Sequence, residues 1–230
     1  MKKISIIVPI YNEKETLSEI ISKIEKTNFC SLEKELILVN DCSTDGSAEI
    51  LKNFENKYKI IDHKINLGKG AAIRTALQHA TGDIIIIQDA DLEYEPKDYQ
   101  NLLPLILNNE ADVVYGSRFL KKQKNGSFIL SHFLGNKILT LITNILFNVT
   151  LTDMETCYKA FKAEFIKDIK ITSNRFDFEP EITAKIIKKG GRIKEVPISY
   201  NGRFHSDGKK ITWKDGFHAI KALIKFKYQK

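Results

Sequence analysis

Ile84 to Pro96 reads IIIIQDADLEYEP, an unbroken apolar run that stops abruptly at Asp89, Ala90 and Asp91. A β-strand buried on both faces of a sheet reads this way, because helices covering both faces leave no wet side to alternate with. Its last residues are delivered to the carboxyl edge of the sheet, where open α/β sheets bind ligands. Two carboxylates separated by one small residue can place oxygens on one hard cation, Mg2+ or Mn2+, that also holds a diphosphate. In the plainer reading Asp89 and Asp91 only solvate a strand end, so the flanking sequence decides.

Upstream, Ile4 to Pro9 (ISIIVP) is a second apolar, β-branched run, and Asn12 with Glu15 three residues on offers a capping box for a helix carrying Leu17, Ile20, Ile21 and Ile24 on one face. Glu35 to Asn40 (ELILVN) reads as another buried strand, followed by the polar turn Asp41 to Gly46 and a helix with Ile50, Leu51 and Phe54 inward. Lys59 to His63 is a short strand, and Asn66-Leu67-Gly68-Lys69-Gly70 leads into an Ala-rich helix ending at Ala80. Strands and helices alternating at this length predict a doubly wound, right-handed, mostly parallel α/β sheet flanked by helices. Downstream, Pro96 starts a helix, Asp112 to Tyr115 is a strand ending in Gly116-Ser117-Arg118, and Phe128 to Val149 is a long helical stretch. Asp153 to Phe161 (DMETCYKAF) returns toward the sheet, Phe178 to Lys189 is a helix and Arg192 to Pro197 a final strand.

Composition sets the bounds. A chain of 230 residues, 43% hydrophobic and 28% charged, has an ample core, and its charge of +7 suits an anionic partner such as acidic lipid or a sugar nucleotide. Nucleic acid would also suit the charge, but the aromatic-basic module it needs is missing. Cys30, Cys42 and Cys157 form no CxxC pair and lack neighbouring His, which speaks against a disulfide framework or a zinc site and fits a reducing cytoplasm. Met1-Lys2-Lys3 precedes an apolar run too short for a signal peptide, and no apolar run reaches spanning length. The segment GKG at 68–70 lacks the upstream Gly and following Ser/Thr of a Walker loop.

Six segments in order, VPIYNE (8–13), VNDCSTDGS (39–47), NLGKGAA (66–72), QDADLEYEP (88–96), VVYGSRF (113–119) and GRFHSDGKK (202–210), resemble the family-2 glycosyltransferases of the GT-A fold. Within that family the chain is most similar to the polyprenyl-phosphate sugar transferases typified by dolichyl-phosphate mannosyltransferase. The resemblance runs from Ile4 to about Phe226 and implies a single GT-A domain over 1–230, with a nucleotide-sugar and metal half at 1–118 and an acceptor half at 119–230. It implies an inverting hexosyltransferase that moves a sugar from a UDP- or GDP-sugar to a lipid-linked acceptor. Pro9, Tyr11, Glu13 and Asp41 would then hold base and ribose, and Asp89, Asp91 and Glu93 the Mg2+ or Mn2+. Arg203 and Lys209 would close over the diphosphate, where Gly202 and Gly208 allow movement.

Arg118 matches a family residue at the acceptor phosphate, but a second arginine expected before a Ser-x-Gly stretch is absent from FILSHFLG (128–135). Glu179 and Glu181 occupy the place where hydroxyl-directed relatives keep a catalytic base, which a phosphate nucleophile does not need. Their plainer role is to complement the dipole of the helix they begin. Transfer to a hydroxyl on a glycan or diacylglycerol is therefore the alternative. A nucleotidyltransferase would need a Gly-rich, Arg-bearing loop after the first strand, which VPIYNEKE lacks, and a non-catalytic sugar-nucleotide binder would show binding without turnover.

The Phe128–Val149 stretch mixes large apolar residues with polar ones, and the tail alternates Trp213, Phe217, Ile220 and Leu223 with Lys214, Lys221, Lys225 and Lys227. Such segments suit peripheral docking on an anionic membrane, here the inner, cytoplasmic face. Packing on the domain or a homodimer interface would account for the same pattern.

Overall fold

The computed structural model describes residues 2–29, 31–123, 130–203 and 213–229. The order of elements is β1 (Lys3–Ile10), α1 (Lys14–Lys26), β2 (Glu33–Asn40), α2 (Ser47–Lys52), β3 (Lys59–Asp62), α3 (Lys69–His79), β4 (Ile84–Ile87), a 3-10 turn (Pro96–Asp98), α4 (Tyr99–Leu107), β5 (Val113–Ser117), α5 (Leu130–Phe147), β6 (Lys159–Lys162), α6 (Ala163–Lys167), α7 (Phe178–Lys188), β7 (Ile193–Pro197) and α8 (Trp213–Tyr228). The strands form one sheet in the order β3-β2-β1-β4-β6-β5-β7. As the sequence leads one to expect, β4 is central and its four isoleucines are all buried.

The period of two along each strand sorts the core into two layers. Ile7, Ile37, Val39, Ile85, Ile87, Val113 and Phe161 pack with residues of α3, α5, α7 and α8 on one face. Ile6, Val8, Leu36, Leu38, Ile84, Ile86 and Val114 pack with α1 and α4 on the other.

The sheet is mostly parallel, as expected, with one exception. β6 lies antiparallel between β4 and β5, with Ile86 opposite Ala160 and Tyr115 opposite Lys159. A strand that must follow β5 in parallel would need a crossover back to the sheet's amino edge. Instead the chain leaves α5 and runs through 153–158 straight into β6. Reversal has a functional consequence: the residues that enter β6, rather than those that leave it, sit at the carboxyl edge beside the ends of β4 and β5.

The capping box gives way. Asn12 takes a left-handed conformation (φ 52°), and its side-chain oxygen accepts the Thr44 N–H at 2.7 Å instead of serving α1. The first N–H groups of α1 are satisfied across the fold: Glu13 N donates to Ser47 Oγ at 3.0 Å and Lys14 N to Asp45 Oδ2 at 2.9 Å. Local sequence named the right kind of acceptor but on the wrong loop, and the result ties the ends of β1 and β2 into one rim.

At the opposite edge, Glu35 accepts from Ser5 Oγ, Thr81 N and Oγ1, and Lys3 Nζ. Burial opposes its charge, but these donors bring its pKa from 4.5 down to about 2. A lowered carboxylate pKa stabilises the fold above the unfolded value and loses that contribution as pH falls through the folded one. Glu35→Gln should therefore cost about 1 kcal/mol at pH 7, discounted for its partial exposure. The difference from wild type in urea unfolding should shrink as pH drops from about 4.5 toward about 2; a constant difference over that range would contradict this.

Candidate active site

Three loops at the carboxyl edge each contain a non-glycine residue at positive φ: Asn12 after β1, Cys42 (61°) after β2 and Leu92 (61°) after β4. Such conformations cost free energy and persist only where surrounding contacts impose them, which is frequent at functional sites. The Leu92 turn brings the Glu93 N–H onto Asp91 Oδ1 at 3.1 Å. Burial first, then the charges of Asp89 and Glu93, push the Asp91 carboxyl up to about 7.

Each carboxylate nevertheless has a partner within the chain. Lys69 Nζ, from the first turn of α3, lies 2.7 Å from Asp89 Oδ1 and 3.4 Å from Glu179 Oε1. Arg203 forks onto Glu13 with two bonds of 3.0 Å, and its Nη2 stands 3.5 Å from Asp91. Glu93 accepts from Tyr200 Oη at 3.0 Å and from the Arg203 N–H at 2.8 Å, which with the Tyr94–Tyr200 bridge fastens 200–203 along the motif loop. Lys209 lies outside the described residues. Among the described residues no three His, Cys, Asp or Glu side chains stand ready-grouped for a metal ion. Lys69 instead covers Asp89, and Tyr200 with Arg203 holds Glu93. In kind, however, the hard carboxylate oxygens of Asp89, Asp91 and Glu93 suit Mg2+ or Mn2+.

Pro9 and Tyr11 stand half-buried at the end of β1. Asp41, buried at the end of β2, spends both oxygens on the next loop: Oδ1 receives Leu67 N–H at 2.9 Å and faces His63 Nδ1 at 2.7 Å, while Oδ2 receives Gly68 N–H at 2.7 Å. His63 in turn meets Thr75 Oγ1 at 2.9 Å, and the sequence reading passed over it.

Arg118, just past the end of β5, is buried, with Nε 2.7 Å from Asp153 Oδ2 and Nη2 2.7 Å from Oδ1. Burial opposes the guanidinium's charge, but Asp153 holds its pKa well above the usual value. Glu179 is buried and its Oε1 makes no hydrogen bond, Lys69 being its nearby cation. Glu181 is fully buried and differently occupied: Thr172 N–H and Oγ1, Ser173 N–H and Lys185 all donate to it. Against the cost of burial, these donors lower its pKa. Glu155, which enters β6, went unnoticed in the sequence. Its Oε1 is buried without a hydrogen bond, and burial together with Glu179 pushes the carboxyl up to about 8.

The sequence profile of glycosyl transferase family 2 matches residues 5–170. The chain belongs to that family, a class of sugar-transferring enzymes whose GT-A architecture the sheet reproduces. An uncharacterised protein of Methanocaldococcus jannaschii is 30% identical over 85% of this chain and 80% of its own length. Dodecaprenyl-phosphate galacturonate synthase of Rhizobium johnstonii is 27% identical and dolichol-phosphate mannosyltransferase of Pyrococcus furiosus 28% identical, each over 90% of this chain. The chain spans only 61% and 59% of those two. Among solved structures, glucosyl-3-phosphoglycerate synthase from Mycobacterium tuberculosis, in complex with Mn2+, UDP and phosphoglyceric acid, superposes with a TM-score of 0.75. It shares 17% identity over 99% of this chain and 79% of that one, a likeness of fold.

Proposed function

We propose that this chain transfers a hexose, with inversion, from a UDP- or GDP-sugar to a polyprenyl phosphate at a membrane surface, with Mg2+ or Mn2+ as cofactor. The observation that carries the reading is the clustering of Asp89, Asp91, Glu93 and Glu13 with Lys69 and Arg203 where β1 and β4 end. Two named relatives act on polyprenyl phosphates, and the structural neighbour holds Mn2+ and UDP.

In this reading Pro9, Tyr11, Glu13 and Asp41 form the nucleotide pocket, Asp41 chiefly by fixing the 66–68 loop. Asp91, with Asp89 and Glu93, would hold the cation, whose charge would offset that of the leaving diphosphate. Arg203, now shared between Glu13 and Asp91, would exchange a carboxylate for a diphosphate oxygen, with Lys209 as its assigned companion. Glu181 braces the backbone at 172–173 and Glu179 remains the only one of the pair with an uncommitted oxygen. That oxygen, with Glu155, favours the second reading, in which Glu179 takes the proton of a hydroxyl acceptor.

A surface feature supports the lipid. Leu134, Ile138, Leu141 and Ile145 recur at helical spacing along α5 and are 57, 47, 58 and 72% exposed. Beside them α8 exposes Phe217, Ile224 and Tyr228 together with Lys221, Lys225 and Lys227. No helix among the described residues is long and apolar enough to cross a membrane. An apolar ridge edged with ammonium groups suits the interface of an anionic bilayer.

The test supplies the chain with Mn2+, a panel of UDP- and GDP-sugars and either polyprenyl phosphate or diacylglycerol in acidic liposomes. An acid-labile lipid-phosphate sugar and flotation that weakens with salt are expected. An acid-stable glycolipid would select the hydroxyl reading, and a salt-stable dimer indifferent to lipid would assign the ridge to a second copy.

A further inference from the structure

The GKG segment, no phosphate loop by its spacing, has a structural reason that points to Lys69. A Cβ on Gly68 would fall 2.4 Å from the Asn174 carbonyl oxygen, and one on Gly70 would fall 2.5 Å from that of Ser173. Only glycine lets the start of α3 press this closely on the 173–174 backbone, which Glu181 holds from the other side and to which Ala71 N–H bonds at 3.1 Å. The side chain between the two glycines is thereby carried into the cleft. Its ammonium lies 2.7 and 3.0 Å from the two oxygens of Asp89, so this cation covers the whole carboxylate. Glu179 Oε1, without a hydrogen bond, waits 3.4 Å from the same ammonium.

We propose that Lys69 is a positioning residue that competes with the divalent cation for Asp89 and withdraws toward Glu179 when a nucleoside diphosphate arrives. The inference deepens the proposed function and rests on it. A divalent ion would have to share Asp89 with an ammonium already on both of its oxygens, in a site largely shut off from water, where like charges repel strongly. Arg203 imposes the same obstacle at Asp91, 3.5 Å away. A diphosphate brings the negative charge that lets all three cations coexist. Metal and nucleotide then bind cooperatively, and by linkage each tightens the other by the same factor. A second position for the lysine is already built, because Glu179 stands on α7, 3.4 Å away, with an oxygen to spare.

The experiment is a Mn2+ titration followed by the loss of the free-ion EPR signal, with and without UDP or GDP, on the whole chain. For wild type, the nucleoside diphosphate should tighten Mn2+ roughly 10-fold or more. Lys69→Met should bind Mn2+ alone roughly 10-fold more tightly than wild type and show a smaller nucleotide effect, while Lys69→Arg should keep the wild-type behaviour. A merely structural role cannot raise metal affinity. Mn2+ binding by wild type that ignores the nucleotide, or a folded Lys69→Met that binds Mn2+ no more tightly, overturns the inference and leaves the proposed function standing. Failure of wild type to bind either Mn2+ or a nucleoside diphosphate overturns the proposed function itself, and the inference falls with it.

Discussion

Asp91→Asn is expected to lower sugar transfer by roughly 10^2–10^3-fold or more while the protein folds at least as well as wild type. The two halves of this expectation have one cause. Asp91 is half-buried beside Asp89 and Glu93, with the Glu93 N–H and one arm of Arg203 at 3.5 Å to balance it, so its charge is costly in the resting protein. A neutral amide of the same shape relieves that repulsion, and a gain of about 1 kcal/mol in thermal or urea unfolding is expected, as at other sites where stability is exchanged for function. In the proposed function, the same loss of charge removes the group that would hold a cation against the leaving diphosphate. Wild-type protein in excess EDTA should lose activity to a similar degree and recover it on adding Mn2+. Full turnover in EDTA, or a fully active Asp91→Asn, would remove the metal from the reaction.

What the sequence revealed and what it hid follow from the same physics. β4 was legible because a strand buried on both faces must be apolar throughout, and Ile84–Ile87 has no other use. The alternation of β1, α1, β2, α2 and β3, α3 was legible for the same reason, each helix carrying its apolar face at a 3.6-residue period. β6 was not, since Lys159–Lys162 (KAFK) is too short for a periodic signal and its direction depends on where α5 sets the chain down. That one reversal hid Asp153, Glu155 and Lys159, which meet the site only because β6 enters the sheet at the carboxyl edge. Asn12 was read as a local cap because sequence shows neighbours along the chain and not across the rim. Asp41 and Glu181 were legible as carboxylates near the site, but their commitment to the 66–68 and 172–173 backbones arises from contacts between distant segments. Lys69 was compared with a nucleotide-binding loop and set aside, although its two glycines are explained by the crowding against Ser173 and Asn174.

The second large effect is expected at the Arg118–Asp153 pair. The backbone of 152–153 is fixed by Glu195 of β7, which accepts Thr152 N–H at 2.7 Å and Asp153 N–H at 3.0 Å. Asp153, fully buried, then accepts the Arg118 N–H at 2.9 Å in addition to the two guanidinium bonds. Arg118 is flanked by the rings of Phe119 and Tyr200, whose centroids lie 5.6 and 5.3 Å from its guanidinium carbon. Removing either partner leaves the other charged and unpaired in the interior, so Arg118→Ala and Asp153→Ala should each cost roughly 3–5 kcal/mol. For a chain of this length that corresponds to a fall of about 10 °C in Tm. The double substitution Arg118→Met with Asp153→Leu removes both charges and keeps much of the volume, so it should lose less than either single change, giving a coupling of opposite sign to simple additivity. The acceptor question is decided in the same experiment. If Arg118→Ala is as stable as wild type and only the KM for the acceptor rises, the guanidinium belongs to the acceptor phosphate and the pair with Asp153 is incidental. If stability collapses in the singles and returns in the double, while donor binding survives throughout, Arg118 is the strut that holds the 152–153 backbone against the end of β5. A phosphate acceptor would then have to draw on other cations.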